Sequence, residues 1–337
     1  MKNEEIAGTF YIDGEYLDGI YYPEFNRFEE ESHVRVKNFF IPMAVNAHTH
    51  IGDSFISSEP SGTLEEIVGP GGFKLRELQN VGQDTLIGGM KNSIKYMQGI
   101  GTGSFFDYRE AGSSGIESLK TIRENEQNSL ILARPEDEED IGSISSIVNG
   151  VGFSAISDEN VDSMKEMAKI ARNLKLLVST HYSENRYEPM EPLFELKPDL
   201  LIHCTSLSRN QLNELLSVTK NVAVTPRSNR FFGIDANYSE LIEAGFNLML
   251  GTDNVMTVSP NIYQEMDFLF RIQKNRQRIS PENIMKIVFK NPYDFIQKAK
   301  VPVKRKWMHF KGIVPTPFQI VTKFNLFNPL EIKEVEL

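Results

Sequence analysis

The apolar positions of the chain fall into short runs that alternate with longer amphipathic stretches. Runs rich in Val, Ile and Leu, without polar alternation, are typical of parallel strands covered by helices. Between them, the segment 160–173 places Met164, Met167, Ala168 and Ala171 on one helical face. Eight such runs predict strands at residues 39–47, 101–108, 129–134, 151–156, 174–180, 199–203, 221–226 and 246–252.

This alternation predicts an α/β fold class. Eight strand–helix units favour closure into a (β/α)8 TIM-type barrel, a fold that takes roughly 250 residues. An open, doubly wound parallel sheet would give the same pattern and stays an alternative at this point. The segment from Ile51 to about Asn80 is long for a simple connection, so we expect it to form a lid over the barrel mouth.

The two ends of the chain differ from its middle. Residues 8–22 alternate apolar and polar positions around an Asp-Gly pair, which is a hairpin signal. The tail from Ile313 onward is again strand-like and is interrupted by prolines. We therefore expect the ends to pair into a small β-structure outside the barrel. The predicted domains are a small β domain of residues 1–40 and 310–337, and a barrel of residues 41–309.

Composition and charge narrow the class of function. A net charge of −10 argues against a nucleic-acid partner, which needs a basic face. No apolar run reaches the ~18 residues of a membrane helix, and the acidic N-terminus does not resemble a secretory signal. We expect a cytoplasmic protein that acts on a small-molecule substrate, with a homo-oligomer left open. The single cysteine, Cys204, excludes an intrachain disulfide and a cysteine-based metal cluster.

Candidate metal ligands cluster at the carboxyl ends of the predicted strands. His48 and His50 end the first strand, whereas His181 and His203 end the fifth and the sixth. Asp253 follows the eighth strand, and in a barrel all of these ends converge on one face. Each histidine alone would more often be structural, but five convergent groups indicate a metal site. Imidazoles with a carboxylate suit Zn²⁺ or Fe²⁺ better than Mg²⁺ or Ca²⁺.

These residues resemble the amidohydrolase superfamily over nearly the whole chain. The stretch PMAVNAHTH resembles the strand-one signature, with Met43 where a glycine is usual. The resemblance is greatest to the cytosine deaminase and chlorohydrolase-like branch, which carries a glutamate three residues after the strand-five histidine, here Glu184. The later signatures follow in the expected order as HYSE (181–184), IHC (202–204), TPRSN (225–229) and GTDN (251–254).

The resemblance implies a role for each of these groups. His48, His50, His181 and Asp253 would bind the metal, and a bound Zn²⁺ lowers the pKa of its water to roughly 7. Asp253 would also accept the proton of the attacking water. Catalytic roles would further fall to His203, which would donate a hydrogen bond, and to Glu184, which would carry a proton to the leaving amine.

The resemblance also bears on the number of metal ions. Binuclear members of the superfamily need a bridging lysine or glutamate near the end of strand four. The stretch VGFSAISDEN offers serines at that place, and its acidic residues lie further into the loop. We therefore expect one divalent metal ion per chain, zinc first and iron as the alternative.

Cationic residues at other strand ends suggest an anionic substituent on the substrate. Arg109, Arg134 and Arg227 follow the second, third and seventh strands, and a guanidinium suits carboxylate or phosphate. The alternative is that each arginine pairs with a neighbouring acid. Lys74 of the lid and Asn229 are further candidates for substrate binding.

The leading functional interpretation is hydrolytic deamination of a heterocyclic amidine by a metal-bound hydroxide. The ring would be purine-, pyrimidine- or pterin-like, with or without an anionic group. The same site would also serve hydrolysis of a cyclic amide or of another C–N or C–X bond. A different class is a non-catalytic amidohydrolase-like scaffold. Such relatives usually lose metal ligands, whereas this chain retains them.

Overall fold

A computed structural model describes residues 5–32, 34, 36–110, 115–125, 128–273, 279–327 and 331–334 of the chain. Its strands are β1 Ile6–Ile12, β2 Glu15–Tyr22, β3 Arg27–Glu30, β4 Asn38–Pro42, β5 Ala44–His50, β6 Thr102–Arg109, β7 Leu130–Ala133, β8 Gly150–Ala155, β9 Leu177–Tyr182, β10 Leu200–His203, β11 Asn221–Val224, β12 Asn247–Leu250, β13 Asp253–Asn254, β14 Lys306–Lys311 and β15 Glu331–Glu334. Its helices are α1 Leu64–Val68, α2 Phe73–Asn80, α3 Gln83–Gly99, α4 Ile116–Asn125, α5 Glu138–Ile144, α6 Val161–Asn173, α7 Glu191–Leu196, α8 Arg209–Leu215, α9 Pro226–Phe231, α10 Tyr238–Ala244, α11 Ile262–Ile272, α12 Pro281–Phe289, α13 Asn291–Lys298 and α14 Pro317–Lys323.

The larger sheet is parallel and curled. Within the described residues it has nine strands in the order β12-β11-β10-β9-β8-β7-β6-β5-β13. The N–H of Gly251 donates to the carbonyl of Val224 on β11, and the N–H of Thr252 donates to that of His48 on β5, each at 2.9 Å. The run 247–254 thus contains both end strands of the sheet, β12 and β13, and it bonds to β11 on one side and to β5 on the other. This curl is typical of a TIM-like fold and not of an open doubly wound sheet, and the predicted α/β class is confirmed.

The burial of the elements explains why the strands lack alternation. Every residue of β5 and of β6 is buried, because the strands carry side chains into the interior on one face and against helices on the other. On the outside, α6 buries Met164, Met167, Ala168 and Ala171, the helical face that the sequence predicts. None of the helices in the described ranges has the length and apolarity needed to span a bilayer.

The smaller sheet brings the two ends of the chain together. Its strand order is β15-β14-β4-β1-β2-β3, and its first hairpin turns at Asp13 and Gly14, both at positive φ. The C-terminal strand β14 pairs antiparallel with β4, as in the pair His309 and Phe40. The buried ring of Trp307 packs with Phe10 and Phe40 in the core of this sheet. The prediction that the ends pair into a β-structure is thus confirmed in part.

The structure differs from the local predictions at these ends. Residues 317–323 of the tail form helix α14 instead of a strand, because Thr316 and Gln319 make a capping box and Pro317 stands in the first turn, and the tail joins the small sheet only at β15. The C-terminal strand that pairs with β4 is β14, Lys306–Lys311, which precedes this tail. The run 39–47 is also two elements, since β4 belongs to the small sheet and β5 to the large one.

Candidate metal centre

The predicted ligands meet at the carboxyl ends of the strands. His48 and His50 lie on β5, His181 on β9 and His203 at the end of β10, while Asp253 opens β13. Two overlapping groups each offer ligand atoms that lie within 4.8 Å of one another. The first is His48, His50 and His181, and the second is His48, His203 and Asp253.

The backbone at these strand ends departs from regular structure. His203 and Asp253 have φ angles of 73° and 67°, and the adjacent Cys204 has 55°. Residues other than glycine rarely adopt this left-handed region, and such strain concentrates at functional sites. Both side chains lie beside His48, since ligand atoms of the three residues are within 4.8 Å of one another.

The histidines are in the form that binds a cation. Nδ1 of His50 lies 2.9 Å from Oε1 of Glu110, and Nδ1 of His181 lies 2.8 Å from the carbonyl of Phe153. Each acceptor fixes the tautomer and leaves Nε2 free to face the centre, an arrangement typical of ligating histidines. Burial, followed by the charge of Lys74, lowers the pKa of His50 to about 4, so its imidazole is neutral.

His48 gives a second indication that the residues fit a metal ion. Both of its ring nitrogens are buried, and neither has a hydrogen-bond partner among the described residues. Its Nε2 lies 3.2 Å from Oδ1 of Asp253. Buried polar atoms without partners are costly unless something else satisfies them. A divalent cation with nitrogen and oxygen ligands, such as Zn²⁺ or Fe²⁺, would satisfy one of these nitrogens.

His203 stands in a different hydrogen-bonding environment. Its Nδ1 lies 3.3 Å from the hydroxyl of Thr225 and 3.5 Å from the side-chain nitrogen of Asn229. An amide nitrogen can donate a hydrogen bond but cannot accept one. Nδ1 therefore accepts, and Nε2 carries the proton. That Nε2 lies 3.3 Å from Oε2 of Glu184. His203 is thus poised to donate a hydrogen bond, whereas a ligating Nε2 would have to be unprotonated.

Glu184 is the second carboxylate of the site. It lies in the cleft with Oε1 accepting a hydrogen bond of 3.0 Å from Asn229. Burial, followed by the negative charge of Asp253, raises the pKa of Glu184 well above its ordinary value. Asp253 has the opposite tendency, because its neighbours His48, His203 and His50 outweigh its burial and hold its pKa well below the usual range. The two carboxyl groups are therefore suited to different protonation states.

Helix α9 supplies two groups that orient these carboxylates. The hydroxyl of Ser228 donates to Oδ2 of Asp253 across 2.7 Å. Asn229, expected as a substrate contact, instead turns its amide toward Glu184, and its Oδ1 accepts from the hydroxyl of Tyr238 at 3.0 Å. The sequence analysis missed Ser228, although it stands in the TPRSN signature next to Asn229.

The three arginines do not converge on the cleft. Arg134 lines it. Arg109 is buried, pairs with Glu110, and packs against Gly52 so closely that a Cβ there would lie 1.6 Å from Nη1. Arg227 pairs with buried Glu265 and donates to the carbonyl of Ser259. Arg109 and Arg227 are therefore paired with acidic residues of the fold, which is the alternative that the sequence analysis left open for the arginines.

The segment 51–80, here called the lid, covers one side of the cleft. It is partly helical, with α1 and α2, and the open cleft beneath it has a volume of about 810 Å³, its mouth included. Lys74 of α2 is buried, with Nζ 2.6 Å from Oε1 of Glu110. Glu110 is a second group that the sequence analysis missed, and its only signal is its place directly after β6. Residues from the lid that line the cleft are Leu64, Glu65, Val68, Gly69, Lys74 and Leu75.

Comparisons with known proteins agree with this geometry. A model of the Amidohydrolase family matches residues 39–300. A protein of Archaeoglobus fulgidus, named only provisionally as an aminohydrolase, is 34% identical over 241 residues, which cover 71% of each chain. An uncharacterised protein of Methanocaldococcus jannaschii is 32% identical over 321 residues, 88% of this chain and 80% of that one.

Solved structures share the fold at low sequence identity. The aminofutalosine deaminase of Helicobacter pylori, in complex with methylthio-coformycin, has a TM-score of 0.71 at 16% identity and covers 99% of this chain and 97% of its own. An adenosine deaminase of Xanthomonas campestris with bound zinc has a TM-score of 0.72 at 13% identity, covering 94% of this chain and 88% of its own.

Proposed function

The chain belongs to the amidohydrolase family and is a metal-dependent hydrolase, and from this premise we propose that it deaminates a heterocyclic amidine. The observation that carries the proposal is the position of Glu184. This partly buried carboxyl group lies in the cleft beside the candidate metal ligands, with Oε2 3.3 Å from Nε2 of His203, and burial raises its pKa well above the ordinary value. A deamination needs such an acid, because ammonia leaves only after the amino nitrogen gains a proton.

We propose that His48, His50, His181 and Asp253 hold one divalent cation, zinc in preference to iron. A bound cation of this kind supplies Lewis-acid chemistry and makes hydroxide available near neutral pH. The ring of His48 supports this assignment, because its nitrogens are buried without a hydrogen-bond partner among the described residues and Nε2 lies 3.2 Å from Oδ1 of Asp253. The run 247–254, which bonds to both β11 and β5, supports a closed (β/α)8 barrel as the frame of the site.

The residues of the chain divide the proton transfers between them. Asp253, whose Oδ2 is fixed by Ser228, accepts a proton from the attacking water. Water oxygen forms a bond to the ring carbon, and the bond from that carbon to the amino nitrogen breaks. One proton of the water finally lies on the leaving ammonia and the other on the ring nitrogen. Glu184 delivers its proton to the leaving amino nitrogen and regains one from the hydroxyl group added to the ring carbon, while Asp253 passes the proton that it accepted to the ring nitrogen. His203 stabilises the developing negative charge through Nε2–H.

Arg134 supports a substrate that carries an anionic group. Arg134 lines the cleft, and its Nε is buried without a hydrogen-bond partner among the described residues, although its charge also acts on the carboxyl group of Glu159. We therefore propose a purine-, pyrimidine- or pterin-like ring with a carboxylate or phosphate within reach of Arg134.

Ammonia release across a panel of aminated heterocycles tests the proposal. The panel pairs each ring with and without an anionic substituent, and the Glu184→Gln variant serves as the matched control. We expect ammonia from at least one ring with the wild-type protein, at a rate that falls sharply in the variant. Ring opening of a cyclic amide without ammonia would contradict deamination, and absence of any bound metal would contradict the metal site and favour a scaffold.

A further inference from the structure

We propose that Lys74 is a positioning residue that couples docking of the lid to the geometry of the metal ligands. The inference rests on the metal site of the proposed function. It assigns to Lys74 a task other than contact with the substrate, and it brings Glu110 and Asn254 into the site as the groups through which Lys74 acts.

Among the described residues of α2, only Lys74 is buried and bonded deep inside the cleft. Only 4% of the residue is exposed. Its Nζ lies 2.6 Å from Oε1 of Glu110 and donates to Oδ1 of Asn254 across 2.8 Å. Oδ2 of Asp53 lies 3.7 Å away. An ammonium group has three donors, so these acceptors leave little capacity for a substrate anion.

Both main partners of Lys74 are bonded in turn to a predicted metal ligand. Oε1 of Glu110 lies 2.9 Å from Nδ1 of His50. The side-chain nitrogen of Asn254 donates to Oδ1 of Asp253 across 2.9 Å. One ammonium group therefore joins the ligand on β5 to the ligand on β13. Because Lys74 belongs to the lid, these two bonds exist together only when the lid is docked.

The physical consequence is a coupling between the lid and the cation. Withdrawal of Lys74 would leave Glu110 without one of its two cationic neighbours and Asn254 without a donor to its Oδ1. His50 and Asp253 would then be held less firmly in the orientation that binds metal. Groups that orient metal ligands typically contribute about 10- to 100-fold to metal affinity. The docked lid thus strengthens binding of the cation.

Metal affinity of Lys74→Met, measured against a chromophoric chelator with Zn²⁺ and with Co²⁺, tests the inference. We expect binding about 10-fold weaker than in the wild-type protein, and a changed visible absorption spectrum of the Co²⁺ form. The control is Lys95→Met, the same substitution at an exposed lysine of α3, which should behave like the wild type. Should Lys74→Met fail to fold, Lys74→Gln keeps a neutral donor and should also bind metal more weakly.

A second measurement tests the route through Glu110. In the double variant Lys74→Met/Glu110→Gln, the loss of affinity should be smaller than the product of the two single losses, because residues of one network are not additive. Full additivity would overturn the route. A raised KM in Lys74→Met with unchanged metal affinity and Co²⁺ spectrum would overturn the inference and return Lys74 to the substrate. Failure of the wild-type protein itself to bind metal would instead refute the proposed metal site.

Discussion

Asn229 donates a hydrogen bond to Oε1 of Glu184 across 3.0 Å, so that an amide on α9 orients the carboxyl group that follows β9. The orientation of the amide is itself set, since its Oδ1 accepts from Tyr238. The same nitrogen lies near Nδ1 of His203. One side chain thus positions both groups that we propose to act on the substrate during proton transfer.

Replacement of this amide should impair proton transfer. Asn229→Asp places a second carboxylate against Glu184, which would raise the pKa of Glu184 further. We expect kcat to fall by about 10- to 100-fold and the basic limb of the pH–rate profile to move to higher pH. The variant Tyr238→Phe, which removes the bond to Oδ1 and leaves Asn229 itself in place, should give a smaller change in the same direction. A wild-type pH profile in Asn229→Asp would show that Asn229 does not act through Glu184.

Removal of the acid itself should separate catalysis from metal binding. Glu184→Gln keeps the shape of the side chain and an acceptor for Asn229 but cannot release a proton. We expect kcat to fall by about 10²- to 10⁴-fold, while metal content, measured by elemental analysis, stays at the wild-type value. Normal ammonia release by this variant would remove the main support for deamination.

Asp253 should be indispensable, because it is both a ligand and a proton acceptor in the proposed mechanism. Asp253→Asn should abolish turnover. In contrast, Ser228→Ala removes only one hydroxyl group from Oδ2 and should retain measurable activity. Steady-state rates of the two variants provide the check, and turnover by Asp253→Asn near the wild-type rate would be incompatible with the assigned roles.

Arg134 should determine the preference for an anionic substituent. Arg134→Met removes the charge-assisted contact, and we expect KM for the charged substrate to rise by about 10- to 100-fold with little change in kcat. KM for the uncharged analogue should stay the same, as should both values in the control Arg271→Met, an exposed arginine of α11. An equal effect on charged and uncharged rings would argue against an anion contact.

The ion pair between Arg227 and Glu265 should contribute to stability instead of substrate binding. Glu265 is fully buried, so Arg227→Met would leave an uncompensated carboxylate and lower the free energy of unfolding by about 3–5 kcal/mol at pH 8. The control Arg271→Met breaks an exposed pair with Asp267 on the same helix and should cost at most about 1 kcal/mol.

The effect of Arg227→Met should depend on pH in a known direction. Burial raises the pKa of Glu265 to about 7, although Arg227 opposes the shift. The native state therefore binds more protons than the unfolded state between about pH 4.5 and 7, so stability falls as pH rises through that window. Without Arg227 the pKa rises further and the window widens upward. Urea unfolding at pH 5 and at pH 8 should show the larger loss at pH 8.

The sequence predicts the fold well where one periodicity dominates. Each of the eight expected strands of the large sheet is found, because strands buried on both faces leave an uninterrupted apolar run. The strand predicted directly after Ile313 is wrong for a physical reason. Its apolar residues suit a strand as well as a helix, and the capping box at Thr316 decides for the helix.

The sequence predicts only those residues of the candidate site whose position is set by the end of a strand. The positions of His48, His181 and Asp253 follow from the convergence of strands, and the structure places a ligand atom of His181 and one of Asp253 each within 4.8 Å of His48. The direction of a long side chain does not follow from its place in the sequence. Arg227 stands at a strand end, yet it turns away from the cleft because the partner that neutralises it, Glu265, comes from a helix distant in sequence.

Anomalous diffraction from crystals of the protein at the zinc and iron absorption edges tests the central claim most directly. We predict one peak per chain at about 2.0–2.2 Å from a nitrogen of His48, His50 and His181 and from an oxygen of Asp253. His203 and Glu184 should lie outside that distance. A peak that lacks Asp253 or His181 among its ligands, two peaks at the site, or no peak in metal-supplemented crystals would contradict the account.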